Sequence, residues 1–398
     1  MSIRKKHIVP LKKDIFIEEE KTKKALADFI LGTNMLSMGE QCVAFEKAFA
    51  EKQGRKEAIL FNSGGSANLA IFQTLKNLGY LKTGDKVGFS SLTWSTNIMP
   101  IIQMGLKPIA IDCDSKTLNV MSHNLEETLK KHNLKAFFIT NVIGFTGNLH
   151  KIREICKKND IVLIEDNCES LGTELPEGKA GNFGLGSSFS FFVAHHMSTI
   201  EGGMVCTDDH DFAEMLRIVR ANGWDRNIHP ERQKHWRGKH NINSEFEANY
   251  TFFDLGYNLR PTEITGFLGL YQLQFLDENI KTRVENFLKA EEIMKKNSDL
   301  LILDRSHIDV MSSFVIPVVC KTPELRDKYV KKFEEAGIEV RPMIAGNMQK
   351  QPFYKKYVEE MEHLPNTDFL HANSFYCGNC PDYGEEEIKI IIKCLGKN

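Results

Sequence analysis

A series of short apolar segments dominates the first half of the chain, at 57–61, 86–90, 108–112, 136–141, 161–165, 187–191 and 204–207. They are rich in Val, Ile and Phe, and several are apolar throughout, which suits strands covered on both faces. Between them lie stretches with the apolar spacing of helices, such as 66–78 and 149–159. Strands that alternate with helices in this way build βαβ crossovers. An α/β fold around a mostly parallel central sheet is therefore expected.

The second half reads differently. A long helical stretch spans about 261–296, with Pro261 just inside its start. Strands are expected near 300–303, 314–319 and 339–342, and helices near 323–336 and 385–395. Together they suggest a smaller C-terminal α+β domain. A chain of 398 residues exceeds what one hydrophobic core usually supports, roughly 250–300 residues. The expected division is 1–280, a large domain with an N-terminal arm, and 281–398, a small domain.

Bulk properties exclude some classes. A net charge of -2 argues against nucleic acid as the main partner. The start is basic, with Arg4, Lys5, Lys6, Lys12 and Lys13, but no apolar core follows as in a secretory signal. A solvated arm is the expectation there. No apolar run approaches the roughly 20 residues of a membrane helix. The nine cysteines are odd in number and scattered, which suggests reduced thiols in a cytoplasm. Cys377-Gly378-Asn379-Cys380 lacks a second ligand pair, so buried thiols are expected there and no metal site.

Several segments carry candidate chemistry. The apolar run 161–165 ends in Glu165-Asp166, and ligands in open α/β sheets bind at the carboxyl ends of strands. Asp166 can serve a ligand or cap the helix that follows. Asn62-Ser63-Gly64-Gly65-Ser66-Ala67-Asn68 joins a strand to a helix. Its small residues allow backbone N–H groups to approach a phosphate, although a plain turn has the same composition. Trp94 follows a strand end and can stack on a ligand or fill a core. In the segment 189–203, His195-His196 precedes Glu201-Gly202-Gly203. An imidazole is not a primary amine and forms no stable imine, but it moves protons near neutral pH.

These segments, in this order, resemble the DegT/DnrJ/EryC1/StrS family of sugar aminotransferases, which use pyridoxal phosphate (PLP). The resemblance runs from Met35 to the C-terminal helix. It implies the type I fold of aspartate aminotransferase. It also implies that His195 stands where the family has the lysine that holds PLP covalently. Asp166 would meet the pyridine nitrogen, with Glu169 also beside the cofactor. Gly65, Ser66 and Ser190 would hold the phosphate, and Trp94 would stack on the ring. Leu255-Gly256-Tyr257-Asn258-Leu259-Arg260-Pro261 is similar to a family segment whose asparagine reaches the PLP phosphate of the neighbouring subunit. Asn258 thus implies a homodimer with shared active sites. His196, Asn222 and Arg341 would face substrate.

Within the family, a histidine pair before Glu-Gly-Gly resembles the sugar 3-dehydratases. One type carries a [2Fe-2S] cluster. Starting that pattern at Cys168 puts Arg226, Ile228 and Trp236 at the remaining positions, and none of them ligates iron. The resemblance is to the cluster-free type. It implies PLP and its aminated form, pyridoxamine phosphate (PMP), with glutamate as amino donor. The substrate would be a GDP-linked 4-keto-6-deoxyhexose on a route to lipopolysaccharide O-antigen deoxysugars. Ala194 and Asn222 depart from that type, which has serine and histidine there. Two other readings stand beside this one: an aminotransferase that uses another base, and an inert homologue kept as a binding partner.

Overall fold

The computed structural model describes residues 7–397. The expected strands form as β1 Glu57–Phe61, β2 Lys86–Ser90, β3 Lys107–Ile111, β4 Ala136–Thr140 and β5 Val162–Asp166. A small hairpin follows, β6 Glu174–Leu175 and β7 Gly178–Lys179, then β8 Gly186–Ser190 and β9 Gly203–Thr207. The seven long strands make one sheet in the order β1-β9-β8-β5-β4-β2-β3. β9 runs antiparallel to β1 and β8, and the other pairings are parallel.

The period-2 alternation of side chains sorts one strand between two layers. Phe137 and Ile139 of β4 pack with Leu149 and Ile152 on one face. Ala136 and Phe138 pack with Phe72, Phe89 and Phe212 on the other. Every residue of β4, β8 and β9 is buried, as strands covered by helices on both faces require.

The long helical stretch is two helices, Glu263–Leu273 and Leu276–Met294. Thr262 caps the first of them by accepting the Thr265 N–H, so Pro261 lies before the cap and not inside the helix. A second sheet follows: β10 Val315–Val319, β11 Val340–Pro342 and β12 Ser374–Gly378, in the antiparallel order β10-β12-β11. The segment 300–303 makes only a single bridge, Leu300 to Cys320, and not the expected strand. Helices Pro323–Glu335, Pro365–Asn373 and Glu385–Leu395 complete this part. Its core is continuous with the large sheet: Phe287 and Phe333 share a cluster with Val142 and Phe145. The division at 280 falls within the Leu276–Met294 helix.

The N-terminal arm departs from expectation. Arg4, Lys5 and Lys6 lie outside the described residues. From His7 onward the arm is docked on the C-terminal part and is not a solvated tail. Val9 is fully buried and bridges Ile338, the Leu11 N–H donates to Glu339 at 2.9 Å, and the Tyr383 hydroxyl donates to the Pro10 carbonyl. Lys12 is drawn in with them, and its burial pulls its pKa down. The apolar Val9 outweighs the charges beside it, because burying it removes apolar surface from water.

Candidate active site

The carboxyl ends of β4, β5 and β8 converge beside the N-terminus of the Gly64–Asn77 helix. Ser63 caps that helix, its Oγ accepting the Ser66 N–H at 3.0 Å. Gly64 is there because of space. A Cβ at that position would lie 2.7 Å from the Cβ of Ser190 and 3.2 Å from the Sγ of Cys168. The end of β8 thus presses directly on the first turn of the helix.

Asp166 closes β5 and is almost fully buried. Its Oδ2 accepts from Asn97 at 2.7 Å and from Asn68 at 3.1 Å, and its Oδ1 accepts the Cys168 N–H at 2.9 Å. Neither asparagine is singled out in the sequence reading, although Asn68 ends the small-residue turn and Asn97 follows Trp94. Their amides fix where the carboxylate points.

A cavity of about 310 Å³ opens at this place. It gathers Gly65, Trp94, Asp166, Glu169, Ser190 and His195 from six separate sequence positions. The indole of Trp94 is 56% exposed, as a ring that waits for a flat partner would be. Phe314, Ile344 and Tyr376 close the cavity from the C-terminal sheet side, and no motif pointed to them. Ile344 has φ 35 and ψ 49, a left-handed conformation unusual for a β-branched residue. Such strain is found at sites where the surroundings fix a loop for function.

Two groups in the cavity are displaced from their ordinary protonation. His195 is half-buried, and its Nδ1 is buried without a partner among the described residues. Burial, and then the positive charge of Arg283, lower its pKa to about 4. The imidazole is therefore neutral at physiological pH and free to accept a proton. Glu169 accepts one hydrogen bond from the Ile143 N–H at 3.2 Å. Burial first, and Asp166 less, raise its pKa to about 8.

Other candidates sit elsewhere. Ser66 occupies the capped first turn, hydrogen-bonded to Ser63. His196 is buried behind His195, its Nε2 3.2 Å from the Ser312 carbonyl. Asn222 sits at φ 59, with its N–H donating to the Tyr257 carbonyl. Asn258 is exposed and accepts from the Arg260 Nε at 3.1 Å. Arg341 is exposed on β11 and pairs with Glu339. None of these five lines the cavity of its own chain.

The cavity fits PLP. Its lining combines a fixed carboxylate with small residues and hydroxyls at a helix N-terminus, where anions bind, and with the flat exposed indole of Trp94. Among the described residues no group of three or more His, Cys, Asp or Glu could hold a metal ion, and no helix is long and apolar enough to cross a membrane.

Fold and site together define a PLP-type enzyme. The chain belongs to the DegT/DnrJ/EryC1/StrS aminotransferase family, whose model matches residues 17–396. It is 34% identical over 374 residues to the GDP-4-keto-6-deoxy-D-mannose 3-dehydratase of Yersinia pseudotuberculosis, covering 92% of this chain and 94% of that protein. The structure of the Escherichia coli GDP-4-keto-6-deoxy-D-mannose-3-dehydratase with bound hydrated PLP is similar, with a TM-score of 0.90 and 31% identity. That match covers 98% of this chain and all of the other. A GDP-4-keto-6-deoxymannose-3-dehydratase with a trapped PLP-glutamate geminal diamine matches with a TM-score of 0.88 and 31% identity, over 97% of this chain and 100% of that one.

Proposed function

We propose that this protein is a PLP/PMP-dependent 3-dehydratase. It removes the C3 hydroxyl of a GDP-linked 4-keto-6-deoxyhexose, with glutamate as amino donor and ammonia released. The observation that carries this reading is His195, a neutral imidazole on the cavity wall where the family has a lysine. The 3-dehydratase relatives, one holding hydrated PLP and one a glutamate adduct, support it.

When bound, the aminated cofactor would supply an amine for the sugar ketone and a ring that can take up electrons. Asp166, fixed by Asn68 and Asn97, would hold a proton at the pyridine nitrogen. Gly65, Ser66 and Ser190 would hold the phosphate, Trp94 would cover the ring face, and Glu169 would stand beside the ring. His195, neutral and on the cavity wall, would accept a proton through its imidazole. It has no primary amine with which to capture the product covalently. The expected outcome is loss of the C3 hydroxyl as water and release of the C4 nitrogen as ammonia with water restoring the ketone, where a lysine would give an amino sugar. His196, Asn222 and Arg341 belong to the substrate side of this proposal.

The working unit is a homodimer with shared sites. Asn222 and Asn258 lie together, since Ala221 bridges Asn258, and neither reaches its own chain's cavity. A second copy is where they would act. The division into 1–280 and 281–398 belongs to the same reading, with Asp166 and His195 on one wall and Phe314, Ile344 and Tyr376 on the other. Nine free cysteines suit a reducing cytoplasm.

The test is a product assay with glutamate and a GDP-4-keto-6-deoxyhexose. Ammonia and a 3,6-dideoxy-4-keto sugar are expected, without an iron–sulfur reductase. A stable 4-amino sugar would favour an aminotransferase instead. Absence of any turnover across a panel of nucleotide 4-keto sugars would favour the inert homologue.

A further inference from the structure

Arg283 is 2% exposed, inside the Leu276–Met294 helix, and has no direct part in the proposed chemistry. All its hydrogen-bond partners are neutral. Its Nε donates to Asn279 Oδ1 at 2.7 Å, and its Nη1 donates to the Phe314 carbonyl at 2.9 Å and to the Asn379 carbonyl. Among the described residues it makes no ion pair with a carboxylate, and Cys380, Tyr383 and Asp382 act on it only through space. A guanidinium remains charged at neutral pH. Holding such a charge in the interior without a paired anion is costly, so a purely mechanical staple would be better built from a neutral amide.

The partners of Arg283 lead to the catalytic imidazole by two routes. Asn279, which accepts from Arg283, donates through Nδ2 to the backbone carbonyl of His196. Phe314, whose carbonyl accepts from Arg283, places its ring 5.2 Å from the His195 ring and 5.7 Å from the His196 ring. Asn379, from the Cys377–Cys380 segment, closes the arrangement by donating back to the Arg283 carbonyl at 2.9 Å. One side chain therefore ties the histidine turn, the ring packed on both imidazoles and the end of β12 to a single helix.

We propose that Arg283 is a positioning residue for His195: through Asn279 and Phe314 it fixes where the imidazole stands, and it sets a buried positive charge behind it. The inference rests on His195 being the base of the proposed reaction. Arg283 is the second cause, after burial, of the low pKa of His195, and the Phe192 backbone acts the other way. His196 feels burial, then Arg283, and more weakly His195 itself and Lys12 of the docked arm. The cavity that His195 lines also carries the titratable groups Asp166, Cys168, Glu169, Glu201 and Tyr376. The positive charge of Arg283 behind the ring favours its neutral, proton-accepting form.

The experiment is a histidine-selective NMR titration of the cofactor-free protein, paired with the pH dependence of kcat. In the wild type His195 should titrate near 4. In Arg283→Gln its midpoint should move up toward the ordinary value of 6.5. The acid limb of kcat should move with it, and kcat should fall about tenfold or more, in line with partial loss of a positioned base. Arg283→Lys, which keeps the charge and loses the fork, should leave the midpoint low while kcat falls. Asn279→Asp provides a second variant should Arg283→Gln not fold. It pairs the guanidinium with a carboxylate and should also raise the His195 midpoint. An unmoved midpoint in the folded variants, with only a lower melting temperature, would overturn the proposal and leave Arg283 a structural staple. If instead wild-type protein releases no ammonia from any 4-keto nucleotide sugar, the proposed reaction fails, while the cofactor-free titration still decides what Arg283 does.

Discussion

Two side chains in one cavity are moved in ways that make pH informative. Glu169 is raised, from 4.5 in the unfolded chain to about 8 in the fold, chiefly by burial. Its contribution to stability is complete below pH 4.5 and is lost as pH rises through 8. Glu169→Gln, which mimics the protonated form, should therefore gain on the wild type steadily between pH 5 and 8 when cofactor-free protein is melted. A flat difference over that range would show that the carboxyl is not enclosed. His195 is shifted the opposite way, to about 4 from 6.5, so its contribution is present above pH 6.5 and fades as pH falls toward 4. Replacing it with asparagine should cost about 10²–10⁴-fold in turnover, the usual worth of a positioned base. Because imidazole forms no stable imine, borohydride followed by mass spectrometry should find no pyridoxyl adduct in 187–203 of the wild type. His195→Lys should give one. An adduct on the wild-type segment would remove the main reason for diverting the family's chemistry.

At the level of elements, what could be read depended on local pattern. β1, β2 and the Glu385–Leu395 helix fall at their expected bounds, because apolar runs and turn residues mark both ends. β12 was missed: Ser374–Gly378 follows the Pro365–Asn373 helix with no turn between them, and its pairing with β10 and β11 is entirely long-range. The site divides the same way. Asp166 and His195 stand in local motifs, whereas Phe314, Ile344 and Tyr376 reach the cavity only through the placement of the second sheet. One polar contact that helps to set that placement is a helix cap supplied from the large sheet. The Pro365–Asn373 helix has no side-chain cap of its own, and Asp112, just past β3, supplies it. Its Oδ1 accepts the Thr367 N–H at 2.9 Å and the Thr367 hydroxyl at 2.7 Å, and its Oδ2 accepts the Asn366 N–H at 3.1 Å. A carboxylate at a helix N-terminus satisfies unpaired donors and the helix dipole together. Asp112→Ala should lower stability by about 1–3 kcal/mol, read as a lower urea midpoint at unchanged slope. An unchanged midpoint would mean that the two parts hold together without this cap.

On the scale of the whole molecule, the unsettled quantity is which chain completes which cavity. Asn258 is exposed and lies outside its own chain's cavity, and the proposed function has it act across subunits. The surface offers apolar material for an interface. Leu31, Met35, Val43, Phe252 and Leu255 are all more than half exposed, an unusual amount of large apolar surface to leave in water. If Asn258 serves the neighbouring cavity, Asn258→Ala and His195→Asn should each be nearly inactive alone yet complement one another. In a mixed dimer one cavity carries both lesions. The other takes His195 from the Asn258→Ala chain and Asn258 from the His195→Asn chain, and it is whole. Random reassociation of equal amounts makes about half the dimers mixed, each with one whole site, so about a quarter of wild-type activity should return. Sedimentation should show dimers throughout. If mixing restores nothing although exchange is demonstrated by differently tagged chains, Asn258 acts within its own chain or not at all. Recovery near a quarter can arise only from sites shared between two copies, since neither parent contains a complete one.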